Sequence, residues 1–461
     1  MIAVSAFKNA QVGVLGLGRS GLAAARALAA GGAQVMAWDD KPAARAKAAA
    51  EGLPIVDLAA RDLGGMPALI LSPGIPHTHP KPHTIVAKAR AAGAEIIGDI
   101  ELLARTQSEA RHVGVTGTNG KSTTTALIGH ILKEVGHAVA VGGNLGTPAL
   151  ALEALGRDGI YVLEMSSYQL ELTHSLVFDV ALLLNLTPDH LDRHGGMGGY
   201  IAAKRRIFRG QGARHAAIIG VDDVLCAGIG DELARTGACT VVPISAERAV
   251  AGGVYVSGDT LVDDTQHLAV PVMRLDELAH LPGAHNRQNV AAAYAVVRRL
   301  GVPARLAAAA IATFPGLAHR QELVATIDGV GYVNDSKATN ADAAAKALVC
   351  YDAVYWIAGG VAKEGGIASL APHFPRIRHA FLIGEAAADF SHTLAGAVPH
   401  SGCGELATAV AAAHALSTRE RLKGAVVLLS PACASFDQFA DFEARGEAFR
   451  RLVAALAGGS A

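Results

Sequence analysis

Short runs of apolar residues alternate with alanine-rich stretches of helical spacing along most of this 461-residue chain. This alternation is typical of parallel α/β sheets, in which a helix follows each strand. Many runs are followed directly by Gly, Ser, Pro or charged residues, and such sheets bind ligands at the carboxyl ends of their strands. The clearest predicted strands cover residues 12–15, 69–71, 113–115, 160–163, 180–185, 216–219, 331–333, 354–357, 380–383 and 426–429.

The pattern divides the chain into three blocks. The first covers residues 1–105 and ends in a predicted helix, and the second covers residues 106–315. The third covers residues 316–461 and begins within T-F-P-G-L-A-H-R at residues 313–320, which has the Pro and Gly punctuation of a linker. Because 461 residues exceed what one hydrophobic core usually supports, we predict an α/β protein of three domains.

Composition restricts the partners and the compartment. The 40 Lys and Arg residues balance 41 Asp and Glu residues, which argues against binding of nucleic acid. The five cysteines are scattered without a C-x-x-C pair, as in proteins with reduced thiols. Arg19, Arg26 and several glycines interrupt the apolar N-terminal stretch, and no run of about 20 apolar residues occurs. We expect a cytoplasmic protein without membrane insertion, and we expect a monomer.

The strongest chemical signal is G-V-T-G-T-N-G-K-S-T at residues 114–123, between a predicted strand and a predicted helix. A glycine-rich turn there directs backbone N–H groups and the positive end of a helix dipole at phosphate. Lys121 can neutralise phosphate charge, and Ser122 can offer its hydroxyl to Mg²⁺. The usual P-loop has glycine where this chain has Val115, so Gly117 and Gly120 belong to a shortened variant. The stretch predicts nucleotide binding.

A second glycine-rich turn lies near the N-terminus. Gly16, Gly18 and Gly21 form G-x-G-x-x-G between a predicted strand and helix, and Asp39 follows. The pattern fits NAD or FAD binding, but the diphosphate of a UDP-sugar on the same helix N-terminus satisfies it too. A further turn, S-P-G at residues 72–74, follows the next predicted strand and can approach the same ligand. This block alone predicts diphosphate binding and leaves the ligand open.

Residues that suit Mg²⁺ follow the phosphate loop. Glu164 comes at the end of a predicted strand in L-E-M-S-S-Y-Q-L-E, and His190 follows another in N-L-T-P-D-H-L-D-R-H. Either residue alone has a structural explanation, but together at strand ends beside a phosphate loop they suggest metal ligands. Asn144, Asn286 and Asn289 offer amide groups near apolar helices, although an asparagine that opens a helix is often only a cap.

Lys204 lies in the middle of an apolar helical face formed by Tyr200, Ile201, Ala203, Ile207 and Phe208. A lysine there must extend to solvent, pair with an acid or lose its proton. A neutral amine can react with CO₂ to form a carbamate, which is a metal-binding carboxylate. Spacing alone favours a salt-bridged lysine.

The third block carries three polar loops after predicted strands. They are N-D-S-K-A-T-N at residues 334–340, G-G-x-x-K at residues 359–363 and S-P-A-C-A-S-F-D-Q-F at residues 430–439. Because parallel strands present their carboxyl ends at one edge, we expect the three loops to converge there and to close over the central site.

Taken together, these motifs resemble the Mur ligase family, ATP-dependent amide-forming enzymes of peptidoglycan precursor synthesis. The resemblance rests on T-G-T-N-G-K-S-T, L-E-M-S-S-Y-Q-L-E, N-L-T-P-D-H-L-D-R-H, A-A-K-R-R-I, P-G-x-H-N-x-x-N and N-D-S-K-A-T-N, and spans all three blocks. It is strongest to the member that adds D-glutamate to UDP-N-acetylmuramoyl-L-alanine (UDP-MurNAc-L-Ala) through an acyl phosphate. It implies a Rossmann-like UDP-binding domain, a central P-loop-type ATPase domain and a Rossmann-like C-terminal α/β domain.

The resemblance also implies roles for individual residues. The catalytic set would be Lys121, Glu164, His190 and Lys204, with Lys204 carbamylated by CO₂ and two Mg²⁺ ions held by Ser122, Glu164, His190 and Lys204. ATP would contact Gly117, Thr118, Asn119, Gly120, Lys121, Ser122, Thr123, Asn286, Asn289, Arg320, Asp335 and Lys337. The UDP-muramoyl substrate would contact Gly18, Arg19, Ser20, Asp39, Ser72, Pro73, Gly74, Asn144 and His190, and D-glutamate would contact Thr339, Lys363, Ser435 and Phe442.

Three alternatives remain open on the sequence. An NAD-dependent oxidoreductase would use the N-terminal glycines but would leave Lys204 and the G-K-S-T segment unexplained. A folylpolyglutamate synthase would have a similar phosphate loop but lacks an N-terminal domain of the UDP-binding type. A non-catalytic nucleotide-binding regulator requires that the Mg²⁺ ligands are not assembled.

Overall fold

The computed structural model describes residues 1–144, 146–278, 280–363 and 365–458, which form an α/β protein with three β-sheets. Backbone packing divides the chain into two compact units, one of Met1–Leu275 with Ala284–Phe314 and one of Asp276–Gly283 with Pro315–Ala461. The first unit holds two of the sheets. The predicted α/β class is confirmed, and the domain boundaries at residues 105 and 315 remain predictions. No described helix has the length and hydropathy that crossing a bilayer requires.

The first sheet carries the N-terminal glycine-rich turn. Its strands are β1 (Gln11–Leu15), β2 (Gln34–Trp38), β3 (Ala68–Leu71) and β4 (Glu95–Ile97), and its helices are α1 (Arg19–Ala30), α2 (Pro42–Ala50), α3 (Thr84–Ala91) and α4 (Asp99–Thr106). The strands are parallel in the order β2-β1-β3-β4. The strand order therefore reverses between β1 and β3, and open sheets bind ligands at such a switch point.

The second sheet is built around the strand that leads into the phosphate loop. Its strands are β5 (Arg111–Thr116), β6 (Val139–Gly143), β7 (Ile160–Glu164), β8 (Val180–Leu183), β9 (Ala216–Gly220), β10 (Thr240–Ser245), β11 (Val254–Ser257), β12 (Thr260–Asp263) and β13 (Val270–Arg274). Their order is β13-β12-β11-β10-β9-β8-β5-β7-β6. Strands β7, β8 and β9 are buried throughout, as expected for parallel strands covered on both faces.

Helices connect and cover the strands of this second sheet. They are α5 (Lys121–Glu134), α6 (Ser167–Glu171), α7 (Leu191–His194), α8 (Met197–Arg205), α9 (Val224–Thr236), α10 (Ala284–Arg299) and α11 (Ala304–Ala312). Helix α8 continues into a 3₁₀ turn at Arg206–Phe208. Of the predicted apolar face, Tyr200, Ala203, Ile207 and Phe208 are buried and Ile201 is partly buried. Lys204 is buried with them.

The third sheet belongs to the second unit. Its strands are β14 (Glu322–Ile327), β15 (Val330–Asn334), β16 (Val354–Gly359), β17 (Ile377–Ile383), β18 (His400–Gly404) and β19 (Val426–Leu429), in the order β14-β15-β19-β16-β17-β18. Its helices are α12 (Ala341–Leu348), α13 (Ala387–Leu394), α14 (Leu406–Glu420) and α15 (Phe442–Gly458), and a 3₁₀ segment covers Ala368–Arg376. Strands β15, β19, β16 and β17 are parallel, so their following loops share one edge.

Three antiparallel pairings of described strands depart from the predicted parallel pattern. Strand β12 pairs antiparallel with β11 and β13, and β14 pairs antiparallel with β15. Gly258 (φ 59°) lies in the turn before β12, and Asp328 (φ 49°) with Gly329 (φ 81°) forms the turn before β15. Two-residue turns with positive φ match the twist of antiparallel strands, which explains the reversals between β11 and β12 and between β14 and β15.

Candidate active site

The phosphate loop joins β5 to α5. Gly117 (φ 153°) and Gly120 (φ 84°) adopt backbone conformations that favour glycine, and Gly120 immediately precedes the helix. A Cβ on Gly120 would overlap Asn289 Oδ1, so the position also lacks room for a side chain. The first N–H groups of a helix have no partner within the helix. The loop therefore offers the kind of backbone site that binds phosphate.

Strand β8 and its following loop hold the tip of the phosphate loop. Thr118 N donates a hydrogen bond to Asn185 O (2.9 Å), and Asn119 N donates to Asn185 Oδ1 (2.8 Å). Thr118 Oγ1 also lies 3.0 Å from Tyr200 OH. Asn185 was not among the predicted site residues, although its position as a polar residue soon after the buried strand β8 was an available signal.

Two lysines bind the carbonyl oxygens of the loop. Lys121 Nζ donates to Gly117 O (2.9 Å) and Thr118 O (2.8 Å). Lys204 Nζ donates to Gly117 O (2.8 Å) and Thr116 Oγ1 (3.3 Å). These acceptors are neutral oxygens, so among the described residues Lys204 has hydrogen bonds to the loop in place of the salt bridge that spacing alone favoured.

Lys204 is buried, with 2% of its surface exposed. Burial, reinforced by the charge of Lys121, lowers the pKa of Lys204 to about 7. A lysine with this pKa is partly neutral at physiological pH, and only the neutral amine is a nucleophile. The site therefore meets the chemical requirement for a reaction with CO₂.

Glu164 supplies a carboxylate beside the loop. It ends β7, is paired with Val115 across the sheet and is 2% exposed. Oε1 accepts a hydrogen bond from Asn144 Nδ2 (2.6 Å), whereas Oε2 is buried and accepts none from the described residues. A buried carboxylate oxygen without a partner is costly, and a cation would remove that cost.

The oxygen atoms available at this site suit Mg²⁺ better than a metal ion whose ligands all come from the protein. Ser122, in the first turn of α5, and Glu164 are both buried oxygen donors. Within the described ranges, no group of three or more His, Cys, Asp or Glu could hold a metal by itself. Mg²⁺ usually binds one or two carboxylates and completes its shell with substrate phosphates and water, so the residues present fit it.

His190 lies before α7 in a left-handed conformation (φ 52°). Its side chain is 51% exposed and its ring packs against Tyr168, with centroids 5.2 Å apart. The preceding segment contacts the phosphate loop, because Thr187 N donates to Thr118 Oγ1 (3.0 Å). His190 is therefore positioned beside the phosphate loop with one face open to solvent.

Two asparagines connect α10 to α5. Thr124 Oγ1 donates to Asn289 Oδ1 (3.2 Å), and Asn289 Nδ2 donates to Asn286 Oδ1 (2.9 Å). Both asparagines are buried inside α10, so neither is a helix cap. They support the phosphate loop through Gly120 and the first turns of α5.

The N-terminal turn is built for close backbone packing at the switch point of the first sheet. Gly18 immediately precedes α1. A Cβ on Gly21 would overlap Gly16 O, and Ser72 Oγ donates a hydrogen bond to the same oxygen (3.0 Å). Ser72, Pro73 and Gly74 follow β3, so they face the helix N-terminus across the switch point. This arrangement fits the predicted diphosphate site.

The other predicted residues of this site also have protein contacts. Asp39 Oδ2 accepts a hydrogen bond from Leu17 N (2.7 Å), and Oδ1 accepts one from Lys41 N (2.8 Å). Asp39 therefore shapes the glycine-rich turn in addition to any ligand contact. Arg19 Nη1 donates to Gly146 O (3.3 Å), and Ser20 lies in the first turn of α1.

In the second unit, the three polar loops converge as predicted. Val361 and Ala434 exchange backbone hydrogen bonds (2.9 and 3.0 Å). Arg445 is buried and donates to Ser336 Oγ (2.9 Å), Ser336 O (2.8 Å) and Cys433 O (3.2 Å). Arg445 was not among the predicted site residues, because nothing in its local sequence shows that a guanidinium in α15 joins the loops after β15 and β19.

The predicted ligand residues of the second unit lie on or near these loops. Lys337 Nζ is 5.6 Å from the centre of the Phe442 ring, and Thr339 N donates to Lys337 O (2.9 Å). Ser435 is buried, whereas Lys363 is exposed after β16. Arg320 lies just before β14, and its N–H donates to Leu317 O (3.2 Å).

Asp335 gives a pH-dependent prediction for the stability of the second unit. Burial raises the pKa of Asp335 from 3.8 to about 7, although Ser430 Oγ and Gln321 N donate hydrogen bonds to its carboxyl. The folded state keeps the proton that the unfolded state loses, so stability falls as pH rises from about 4 to about 7. The difference corresponds to about 4 kcal/mol.

We expect Asp335→Asn to remove this dependence, because asparagine stays neutral. Denaturant titrations at pH 5 and pH 8 should show the variant gaining stability relative to the parent at the higher pH. The same pH slope in both proteins would contradict the prediction.

Comparison with known proteins places these features in a family. Residues 115–297 match the model of the Mur ligase middle domain. A UDP-N-acetylmuramoylalanine–D-glutamate ligase of Paramagnetospirillum magneticum is 57% identical over all of both chains, and one from Caulobacter sp. is 55% identical over 99% of this chain and 98% of its own. The solved UDP-N-acetylmuramate-alanine ligase of Thermotoga maritima shares the fold (TM-score 0.58, 16% identity, covering 98% of this chain and 100% of its own).

These relatives decide between the interpretations of the N-terminal glycines. Both of the relatives described are named as ligases, which does not support a nicotinamide-dependent oxidoreductase. The similarity covers the whole chain, including the first sheet and the loops of the second unit. The chain therefore belongs to the Mur ligase family.

Proposed function

We propose that this protein is an ATP-dependent, ADP-forming ligase that joins D-glutamate to UDP-MurNAc-L-Ala in cytoplasmic peptidoglycan precursor synthesis. The observation that carries the proposal is the phosphate loop, on which Lys121 and Lys204 share the Gly117 carbonyl beside the buried carboxylate of Glu164. Identity of 55–57% over the full chain with proteins named for this reaction supports the choice of substrates.

The phosphate loop would bind the ATP phosphates through its backbone N–H groups. Lys121, which lies over the loop, would offset negative charge on the transferred phosphoryl group. Asn286 and Asn289 support the loop from α10. In the second unit, Arg320, Asp335 and Lys337 are the residues that we assign to ATP.

Mg²⁺ bound here would act as a Lewis acid on the phosphoryl oxygens. Ser122 and Glu164 are the donors best suited to hold it, because both are buried beside the loop and Glu164 Oε2 has no partner among the described residues. We assign His190 and Lys204 to a second Mg²⁺. Lys204 would serve as its carbamate, because an ammonium cannot bind a cation.

The chemistry proceeds in two steps. The carboxylate of the L-alanyl group attacks the γ-phosphorus of ATP, which gives an acyl phosphate and releases ADP. The amine of D-glutamate then attacks the acyl carbon, loses a proton and expels phosphate, which leaves the amide. His190, whose exposed ring is fixed against Tyr168, would orient the acyl group or accept the proton of the amine.

The remaining assignments concern the two other substrates. The turn around Gly18 with Arg19, Ser20 and Asp39 would bind the UDP moiety together with Ser72, Pro73 and Gly74, and Asn144 and His190 would contact the muramoyl group. Asn144 is well placed for this because its side chain is fixed by Glu164. Thr339, Lys363, Ser435 and Phe442 would contact D-glutamate.

Phosphate release tests the proposal. The protein is incubated with ATP, Mg²⁺ and UDP-MurNAc-L-Ala, and D-Glu, L-Glu, D-Asp or no amino acid is added. We expect release to require UDP-MurNAc-L-Ala and to be fastest with D-Glu. Preference for another amino acid would overturn the D-glutamate assignment, and absence of release with bicarbonate present would overturn the ligase assignment.

A further inference from the structure

A buried polar network connects the loop after β3 with α6 and α7. Its centre is Arg193, which is 8% exposed. Arg193 Nη2 donates hydrogen bonds to Ile75 O (3.1 Å) and to His77 Nδ1 (3.1 Å). Both acceptors belong to the loop that begins with Ser72, Pro73 and Gly74. One guanidinium group therefore holds the loop assigned to the UDP-muramoyl substrate.

The other side of Arg193 faces α6. Its Nη1 lies 3.6 Å from Glu171 Oε2, and its guanidinium lies over the Tyr168 ring, 5.0 Å from the ring centre. Tyr168 in turn packs against His190. The contacts thus connect the loop after β3 to His190 through Arg193 and Tyr168.

Two histidines beside Arg193, His77 and His194, are neutral at pH 7. Burial, reinforced by the charge of Arg193, lowers the pKa of both His77 and His194 to about 4. Neutral His77 can therefore accept the hydrogen bond from Arg193. His194 donates from Nδ1 to Glu171 Oε1 (3.2 Å) and accepts at Nε2 from Ser167 Oγ (2.9 Å). At neutral pH the network thus contains one ion pair, Arg193 with Glu171.

We propose that Arg193 is a positioning residue. It holds the loop after β3 at a fixed position relative to His190, so that the muramoyl substrate is aligned with the phosphate loop. The role rests on the proposed function. The role requires a planar guanidinium. The N–H groups in the plane of Arg193 donate to the loop after β3, while the flat face of the guanidinium lies on the Tyr168 ring. The reacting carboxylate must be placed within a fraction of an ångström, and misplacement by about 1 Å can cost about 10²-fold in rate.

A purely structural salt bridge is the competing explanation, and a pair of variants separates the two. Arg193→Met leaves Glu171 buried without its partner, which destabilises the fold for reasons unrelated to substrate. The double variant R193M/E171Q removes both charges, and glutamine can still accept from His194. We expect the double variant to recover most of the lost thermal stability but not the alignment of the loop.

The experiment measures the KM for UDP-MurNAc-L-Ala, the KM for ATP, kcat and the Kd for UDP-MurNAc-L-Ala by calorimetry. We expect R193M/E171Q and Arg193→Lys to lower kcat/KM for UDP-MurNAc-L-Ala by about 10²-fold and to leave the KM for ATP nearly unchanged. Arg205→Met is the matched control, because Arg205 lies on the same helix as Lys204, is 42% exposed and pairs with the exposed Glu232. It should behave like the parent protein.

Recovery of kcat/KM together with thermal stability in R193M/E171Q would overturn the positioning role. An equal increase in the KM for ATP would overturn it as well. If the parent protein shows no ligase activity, the proposed function fails, but weaker calorimetric binding of UDP-MurNAc-L-Ala by the double variant would still support the role of Arg193 in loop placement, and unchanged binding would refute it.

Discussion

Replacing Lys204 by alanine is expected to lower kcat by about 10³-fold, which is typical for removal of a group that stabilises charge in the transition state. The variant loses the carbamate that we assign to the second Mg²⁺, and it loses the hydrogen bonds to Gly117 and Thr116 behind the phosphate loop. Small carboxylic acids such as acetate or propionate should restore part of the activity, because they can enter the vacated space and supply the missing carboxylate.

Lys121→Ala is the matched comparison. It should also be nearly inactive, because Lys121 acts as a cation over the phosphate loop. A carboxylic acid should not restore its activity, since the missing charge is positive. Steady-state rates of both variants across a series of acetate concentrations test the pair. Equal rescue of the two variants, or little loss in Lys204→Ala, would refute the carbamate.

Replacing Glu164 by glutamine should have the second large effect, a loss of about 10²- to 10³-fold in kcat. Glutamine has nearly the same shape, and its carbonyl oxygen can still accept the hydrogen bond from Asn144. The substitution therefore removes the negative charge of Oε2 and little else. We expect the concentration of Mg²⁺ required for half-maximal rate to rise strongly, because an amide oxygen binds Mg²⁺ more weakly than a carboxylate.

A titration of rate against Mg²⁺ at saturating ATP measures this effect. Glu153→Gln is a suitable control, because Glu153 is an exposed carboxylate in the segment between β6 and β7. It should leave the Mg²⁺ dependence unchanged. A Glu164→Gln variant with the Mg²⁺ dependence of the parent protein would show that Glu164 does not hold the metal.

Local sequence patterns predicted the elements that carry the site. Apolar runs identified the buried strands β5, β7 and β8, and the spacing around Lys204 placed it within an apolar helical face, where the structure buries it. These predictions succeed because burial of a strand or a helical face depends on neighbours in the sequence. The predicted strand over residues 180–185 was too long, since β8 ends at Leu183.

Contacts between distant segments could not be predicted in the same way. Nothing near Lys204 shows that its amine binds the carbonyl of Gly117, and nothing near Arg193 shows that it reaches His77. Residues Asp276–Gly283 pack with the second unit although the chain on both sides belongs to the first. By contrast, Asp328 and Gly329 form a hairpin turn whose signal was present in the sequence and was overlooked.

The geometry of Gly117 and Gly120 bears on how this protein could escape an inhibitor. Both residues need backbone angles that other residues rarely adopt, and a side chain at Gly120 would overlap Asn289. Substitution at either position would deform the loop itself. We therefore expect few resistance mutations in this loop against a compound that binds its backbone N–H groups, because a substitution that blocks the compound would also damage the loop.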